Sequence, residues 1–352
     1  MSDSTARHSD QDGTGTAGDS PRRSTRTAAP RPAVLPDDAS SPETAPRAQE
    51  ESTPAGPLRV LISGASGMIG SELVRQLRGD GHQIFRLVRH APTSPDEFHW
   101  APASHMLDFS VLDRVDAVIN LSGASISRLP WTSSYKREIL DSRVQATQTI
   151  TDAMRMASTP PSILLNASAV GFYGDRPGEE LTEESARGEG FLADVVERWE
   201  QAALLAPETA RVVTVRTGLV LGNGGALKPL LPLTKLGLSG PLGGGQQYWP
   251  WISHYDEAAA IRHLLTSSLS GPVNLAGPEA ATANDVMSTL AELLHRPFKL
   301  PVPEKIIELA LRDAGHELLL SSQRLVPQRL IDDGFVFRHR TVAEALQAVL
   351  AG

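Results

Sequence analysis

LRVLISGASGMIGSELVRQLRGDG, residues 58–81, decides how this chain folds. It opens on a short apolar run with the character of a buried strand, passes through a glycine-rich turn and continues as a helical pattern. The order matters chemically. Gly64 permits the tight turn, Gly67 lets backbone approach a diphosphate, and Gly70 allows a helix to pack closely on the strand. The start of the helix then offers free amides and a positive dipole to phosphate oxygens. Ser63, Gly64, Ser66, Gly67, Met68, Ile69 and Gly70 are therefore the candidate cofactor-binding segment.

The alternation continues outward from that stretch. Strand-like runs fall at about 83–88, 117–121, 162–166 and 212–216, with helical patterns at about 133–156 and 191–205 between them. This predicts an α/β protein with a Rossmann-type, doubly wound, mostly parallel sheet. After Gly218 a Gly- and Pro-rich stretch runs to Pro250, followed by shorter helical segments broken by prolines, which predicts a smaller, mainly helical cap. The expected division is a disordered tail over 1–57, a dinucleotide-binding domain over 58–220, and a cap over 221–352 interleaved with it. The tail is rich in Ser, Thr, Ala, Pro and Arg and has too few apolar residues to offset the entropy of folding. Its acids, among them Asp10, Asp12 and Asp19, set it apart from an organelle-targeting peptide.

Bulk composition narrows the classes. A formal net charge of −8 disfavours broad capture of nucleic acid or an anionic membrane. The absence of Cys removes disulfides, zinc-thiolate sites and thiol nucleophiles. No apolar run approaches a bilayer's span, and the amino terminus has no secretory hydrophobic core, so a cytoplasmic protein is expected. The ten His show no HExxH-like spacing, and no metal site is expected.

The end of the second strand-like run distinguishes cofactors. An NAD site would place an acid there for the ribose hydroxyls. Here the sequence reads RLVRHAP, and Arg89 is suited to a 2′-phosphate, with Ser63 and His90 as partners; the alternative is a solvated charge at a strand end. NADP(H) is the expected cofactor.

The glycines repeat every third residue, GxxGxxG, and in this the segment resembles the short-chain dehydrogenase/reductase superfamily. VDAVINLSGASI (115–126) and LLNASAVGFYG (164–174) resemble two further strands of its extended members. The resemblance implies that Leu121, Ser122 and Gly123 lie against the cofactor and that Ser168 and Tyr173 face the nicotinamide. WTSSYKREILDSRVQAT, RTGLVLGNGGALKPLLP, GGGQQYWPWI and LVPQRLIDDGFVF together resemble an atypical epimerase-family branch, NAD-dependent epimerase/dehydratase-like, with a C-terminal helical region of unknown function. It covers the chain from about Leu58 onward.

The usual proton-transfer pair is missing. In this superfamily a Tyr acidified by a Lys one turn away, YxxxK, moves the hydroxyl proton. The chain has four Tyr, at 135, 173, 248 and 255, and none is followed by Lys four residues on. Val195 or Val196 stands near the Lys place in FLADVVERWEQAA. Ser168 and Tyr173 are the catalytic candidates, against the alternatives of a turn-lining Ser and a packed aromatic. Glu200 and Arg198, on the same helix, read as surface or ion-pairing residues. Trp131, Lys136 and Arg143 open the preceding helix, where Trp131 suits either ligand stacking or a core. Asp256 reads as a helix N-terminal residue. GLSGPLGGGQQYWPW (237–251) suits either a lid over a ligand or a structural crossover. Two functional classes follow: an NADP(H)-dependent oxidoreductase or epimerase-like enzyme acting on a small carbonyl or sugar-like substrate, and a non-catalytic NADP(H)-binding sensor.

Overall fold

Val60, Leu61 and Ile62 have no exposed surface, and they alternate between two layers. Val60 and Ile62 pack with Leu73 and Leu77 on one face, and Leu61 packs with Ile150 and Met154 on the other. A strand covered on both faces belongs to a parallel sheet between helical layers. The computed structural model describes residues 56–351, so the tail expected over 1–57 lies almost wholly outside the described residues.

In chain order the elements are β1 (Arg59–Ser63), α1 (Met68–Gly79), β2 (Gln83–Val88), β3 (Glu97–Ala101), β4 (Met106–Leu107), β5 (Ala117–Asn120), α2 (Ser133–Met156), β6 (Ile163–Ala169), β7 (Glu180–Leu181), α3 (Phe191–Ala203) and β8 (Arg211–Thr217). There follow β9 (Leu219–Leu221), α4 (Leu227–Lys235), β10 (Tyr248–Trp249), β11 (Trp251–Ser253), α5 (His254–Thr266), β12 (Gly271–Leu275), β13 (Ala281–Thr282) and α6 (Ala283–Leu293). Shorter helices lead to a last one at Val342–Ala351.

Eight strands form one sheet in the order β12-β8-β6-β5-β1-β2-β3-β4. Every pairing in it is parallel except β3 with β4. Growth runs one way from β1 to β4 and the other way through β5 and β6. The reversal beside β1 is a topological switch point, and it opens a crevice outside the carboxyl ends of β1 and β5.

The sheet contains a strand contributed from beyond residue 220. β12 pairs with β8, with Val273 beside Val215, and α5 lies against α1, where Gln76 Nε2 donates to the Tyr255 carbonyl at 3.2 Å. The later part of the chain therefore finishes the sheet as well as building on it. Its own core gathers Leu227, Trp249, Trp251, Val286 and Leu346. Trp249 and Trp251 are 5% and 1% exposed, and their indole N–H groups donate to the carbonyls of Leu319 and Glu279. The 237–251 segment thus anchors the cap by its aromatic residues, which corrects the lid reading for those side chains. No described helix is long and apolar enough to cross a membrane.

Candidate functional site

The glycine turn is held by contacts that exclude side chains at two of its three glycines. Gly64 has φ +72°, and a Cβ on it would come within 2.9 Å of the Leu121 carbonyl oxygen. A Cβ on Gly70 would stand 2.2 Å from the Gly64 oxygen and 2.8 Å from Ala65 Cα. Gly67 differs. Its φ is −72°, and a Cβ there would meet only the Gly64 oxygen, at 3.2 Å. The fold demands glycine far less at 67 than at 64 or 70, and Ser66 and Gly67 are exposed, so the bare backbone leaves a cradle that a side chain would fill.

The start of α1 matches that cradle. Gly67 is its N-cap, no side chain caps it, and its first turn carries no acid. Like α1, α4 and the helix at Glu304–Leu311 have no side-chain cap, whereas four other helices have first amides covered. Thr132 caps α2, Ser253 caps α5, and Thr282 with Asp285 forms a capping box on α6. Glu317 reaches back to accept from the Phe191 and Leu192 amides of α3 at 2.7 and 2.8 Å. The open amides of α1 fit the diphosphate of a dinucleotide.

Ser63 does not face that space. It is fully buried, and its hydroxyl donates to Asn120 Oδ1 at 2.6 Å, which removes it from the 2′-phosphate set expected from the sequence. Asn120 in turn donates to Thr147 Oγ1 at 3.0 Å and Asn166 Oδ1 at 2.7 Å, and Trp199 Nε1 donates to Thr147 at 3.0 Å. This buried ladder ties the ends of β1 and β5 and the middle of β6 to α2 and α3. Arg89 and His90 remain exposed after β2, while Leu121, Ser122 and exposed Gly123 form the turn after β5.

A second buried network lies at the carboxyl end of β6. Ser168 is 3% exposed, and its hydroxyl donates to Glu200 Oε1 at 2.6 Å. Arg216, on β8, grips the same carboxylate through Nε and Nη2 at 2.8 and 2.9 Å. Its Nη1 donates to the Tyr173 hydroxyl at 3.0 Å, which donates onward to Asn274 Oδ1 at 2.7 Å. The Arg216 guanidinium carbon lies 3.5 Å from the Phe172 ring centroid. Burial opposes the Arg216 charge, but the hydrogen bonds and charge of Glu200 outweigh it and raise the pKa.

Tyr173 is consequently a core residue. It has no exposed surface, its hydroxyl has both a donor and an acceptor, and burial raises its pKa. The catalytic role expected of Tyr173 is corrected on those grounds. Glu200 is the ion-pairing residue anticipated, but Arg216 went unread in the sequence; a charge inside the strand-like VVTVRT was the available signal.

Trp131 also belongs to a core. It is 9% exposed, its ring meets Phe191 edge-on at 5.5 Å, and its N–H donates to the Ile126 carbonyl. Lys136 pairs with Asp313, and Asp256 accepts the amides of Arg338 and His339 besides the Ser253 hydroxyl.

Glu257, on α5, is fully buried behind Thr217, which donates to Oε1 at 2.7 Å, while Oε2 has no partner among the described residues. Burial pushes its pKa from 4.5 to about 8. Between those values the folded chain holds a proton that the unfolded chain releases, so this contribution is complete below about pH 4.5 and is lost as pH rises through about 8. Between about pH 6 and pH 8 the wild type is expected to lose ~2 kcal/mol more than Glu257→Gln in urea unfolding. Equal pH slopes for the two proteins would refute a neutral Glu257.

A doubly wound sheet, a GxxGxxG turn at its switch point and an uncapped first helix define the extended short-chain dehydrogenase/reductase class. The chain belongs to the NAD dependent epimerase/dehydratase family, whose profile matches residues 60–276. A domain of unknown function, DUF1731, matches residues 302–349. The chain is 40% identical to the epimerase family protein Mb2239 of Mycobacterium bovis over 290 residues, 82% of this chain and 96% of that protein. It is 34% identical to epimerase family protein SDR39U1 of Bos taurus over 300 residues, 84% of this chain and 100% of that one. Among solved structures, human epimerase family protein SDR39U1 (isoform 2) with NADPH aligns at a TM-score of 0.76 and 30% identity, covering 84% of this chain and 99% of that chain. A nucleoside-diphosphate sugar epimerase from Corynebacterium glutamicum aligns at 0.69 and 32% identity, covering 84% of this chain and 58% of that chain.

Proposed function

We propose that this protein is an NADP(H)-dependent oxidoreductase or epimerase-like enzyme acting on a small carbonyl or sugar-like compound. The observation that carries the reading is the uncapped start of α1 beside Gly67, whose open side the fold leaves without need. The amides of Met68, Ile69 and Gly70 would hold the diphosphate, Arg89 the 2′-phosphate, and the Leu121–Gly123 turn the sugar beyond it. The human relative's NADPH-bound structure supports the choice of cofactor. NADP(H), when bound, supplies or accepts the hydride.

Ser168 is the residue proposed at the reacting centre. Its one hydrogen is committed to Glu200, whose two oxygens are held by Arg216, so the Ser168 oxygen is left as an acceptor. That arrangement suits a substrate hydroxyl better than a carbonyl. A binding protein that uses NADP(H) as a regulatory ligand is the second reading, favoured by the apolar, buried Val195 and Val196 near the place of the Lys of the Tyr–Lys pair. Screening carbonyls for NADPH oxidation separates the two.

The cofactor assignment has its own test. Titration of the purified protein should show tighter NADPH than NADH binding, and Arg89→Ala should raise the NADPH Kd about tenfold while leaving NADH unchanged. Preference for NADH in the parent, or an unaltered NADPH Kd in the variant, would remove the role given to Arg89.

A further inference from the structure

The end of α4 turns a group of leucines outward. Leu236 is its C-cap, and Gly237, at φ +73°, lets the chain double back so that the Gly237 and Leu238 amides donate to the Thr234 and Leu233 carbonyls, each at 2.9 Å. That closure sets Leu238 beside Leu233, and Leu233 shares a helix face with Leu236. A second segment completes the group. The amides of Lys299 and Leu300 both donate to the Ser239 carbonyl, at 3.0 and 3.2 Å, and a Cβ on Gly237 would lie 3.4 Å from Pro297. Leu236 is 72% exposed, and Leu233, Leu238 and Leu300 are each about half exposed. One exposed leucine is ordinary, but four on adjoining turns mark a surface that a partner covers.

Charge narrows the choice of partner. The chain has five Lys, and four of them, Lys228, Lys235, Lys299 and Lys305, lie in or beside these two segments. Lys235, Arg296 and Lys299 are exposed around the leucines. No acid occurs in 227–239 or in 293–303, and Glu292 and Glu304 stand at the borders of the second stretch. The formal charge of −8 therefore belongs to the chain as a whole and not to this face. An anionic surface repels the rest of the molecule and attracts the basic face, which fixes the orientation of approach.

Composition narrows it further. Protein interfaces concentrate aromatic residues and Arg at their centres and are depleted in Lys. The one Phe, Tyr or Trp in the two segments, Phe298, packs on the core of the cap instead. Leucines at the level of lipid headgroups, with lysine stems along them and ammonium groups at the phosphates, make an interfacial anchor. We infer that this face of the cap docks the protein reversibly on an anionic lipid bilayer. The inference stands apart from the cofactor reading.

Partition of the full chain between buffer and sedimented vesicles tests it. Vesicles of phosphatidylcholine mixed with phosphatidylglycerol are expected to capture the protein at low salt and release it at high salt, while phosphatidylcholine alone captures little. Each basic residue at such a surface is worth about fivefold in the partition constant, so Lys235→Glu with Lys299→Glu should lower it about twentyfold or more. Leu236→Gln with Leu238→Gln should lower it about tenfold. Leu204→Gln, at an exposed leucine that ends α3, should leave it unchanged. Equal capture by both kinds of vesicle, capture by neither, or capture indifferent to both double variants would overturn the inference. So would binding to immobilised polyglutamate without binding to vesicles, which assigns the face to an acidic protein. Self-association of the parent that the leucine pair abolishes, again without vesicle binding, would assign the face to a second copy and overturn it equally. If the leucine pair does not fold, the lysine pair, which changes only exposed side chains, carries the comparison.

Discussion

Arg216→Met is expected to lower the free energy of unfolding by about 3–5 kcal/mol, because it strips a buried carboxylate of its partner. Arg216 is 4% exposed and Glu200 13% exposed, so water can do little to replace the lost cation. The same substitution removes the donor from Tyr173 and the cation from the face of Phe172. Pairing Arg216→Met with Glu200→Leu should restore much of the loss, since the unanswered charge is then gone as well. Urea unfolding midpoints of the two single variants and the double variant measure this directly. A drop below about 1 kcal/mol for Arg216→Met would mean that the pair is screened as a surface pair is.

The glycines of the first turn should separate folding from binding. At Gly70 a new Cβ collides with backbone at 2.2 Å, and backbone at the junction of β1 and α1 has nowhere to yield. Gly70→Ala should therefore cost about 1–3 kcal/mol of stability and disrupt the turn. At Gly67 the conformation is ordinary and a Cβ meets only the Gly64 oxygen, at 3.2 Å, which must yield slightly, so Gly67→Glu should fold with a far smaller loss than Gly70→Ala. Its carboxylate would fill the cradle and repel phosphate, and the NADPH Kd should rise more than a hundredfold. Two results would be fatal to this division: Gly70→Ala as stable as the parent, or a folded Gly67→Glu that binds nucleotide normally.

Much of the first layer was legible because its signals are local. A positive-φ glycine between an apolar run and a helical pattern reads the same way wherever it occurs, and α2 was anticipated at its observed limits, Ser133–Met156. β3 and β12 were not anticipated. EFHWA mixes charge and aromatics without clean alternation, and GPVNL begins on two residues that ordinarily mark a turn. The misassignments of Ser63 and Tyr173 have another origin. Each stands near the expected crevice in sequence, yet a hydroxyl's availability depends on partners far along the chain: Asn120 for one, Arg216 and Asn274 for the other. The Arg216–Glu200 pair joins a strand to a helix, a relationship that no local periodicity encodes.

The delayed arrival of β12 and Glu317 bears on how the chain is made. During synthesis β8 emerges with one edge unpaired, and the start of α3 emerges with bare amides, until segments more than fifty residues further on leave the ribosome. An unpaired parallel edge is a template for the wrong neighbour. The nascent polypeptide is thus most vulnerable to misassembly late in translation, when its nucleotide-binding end is nearly complete but the edge strand that closes the large sheet has yet to appear.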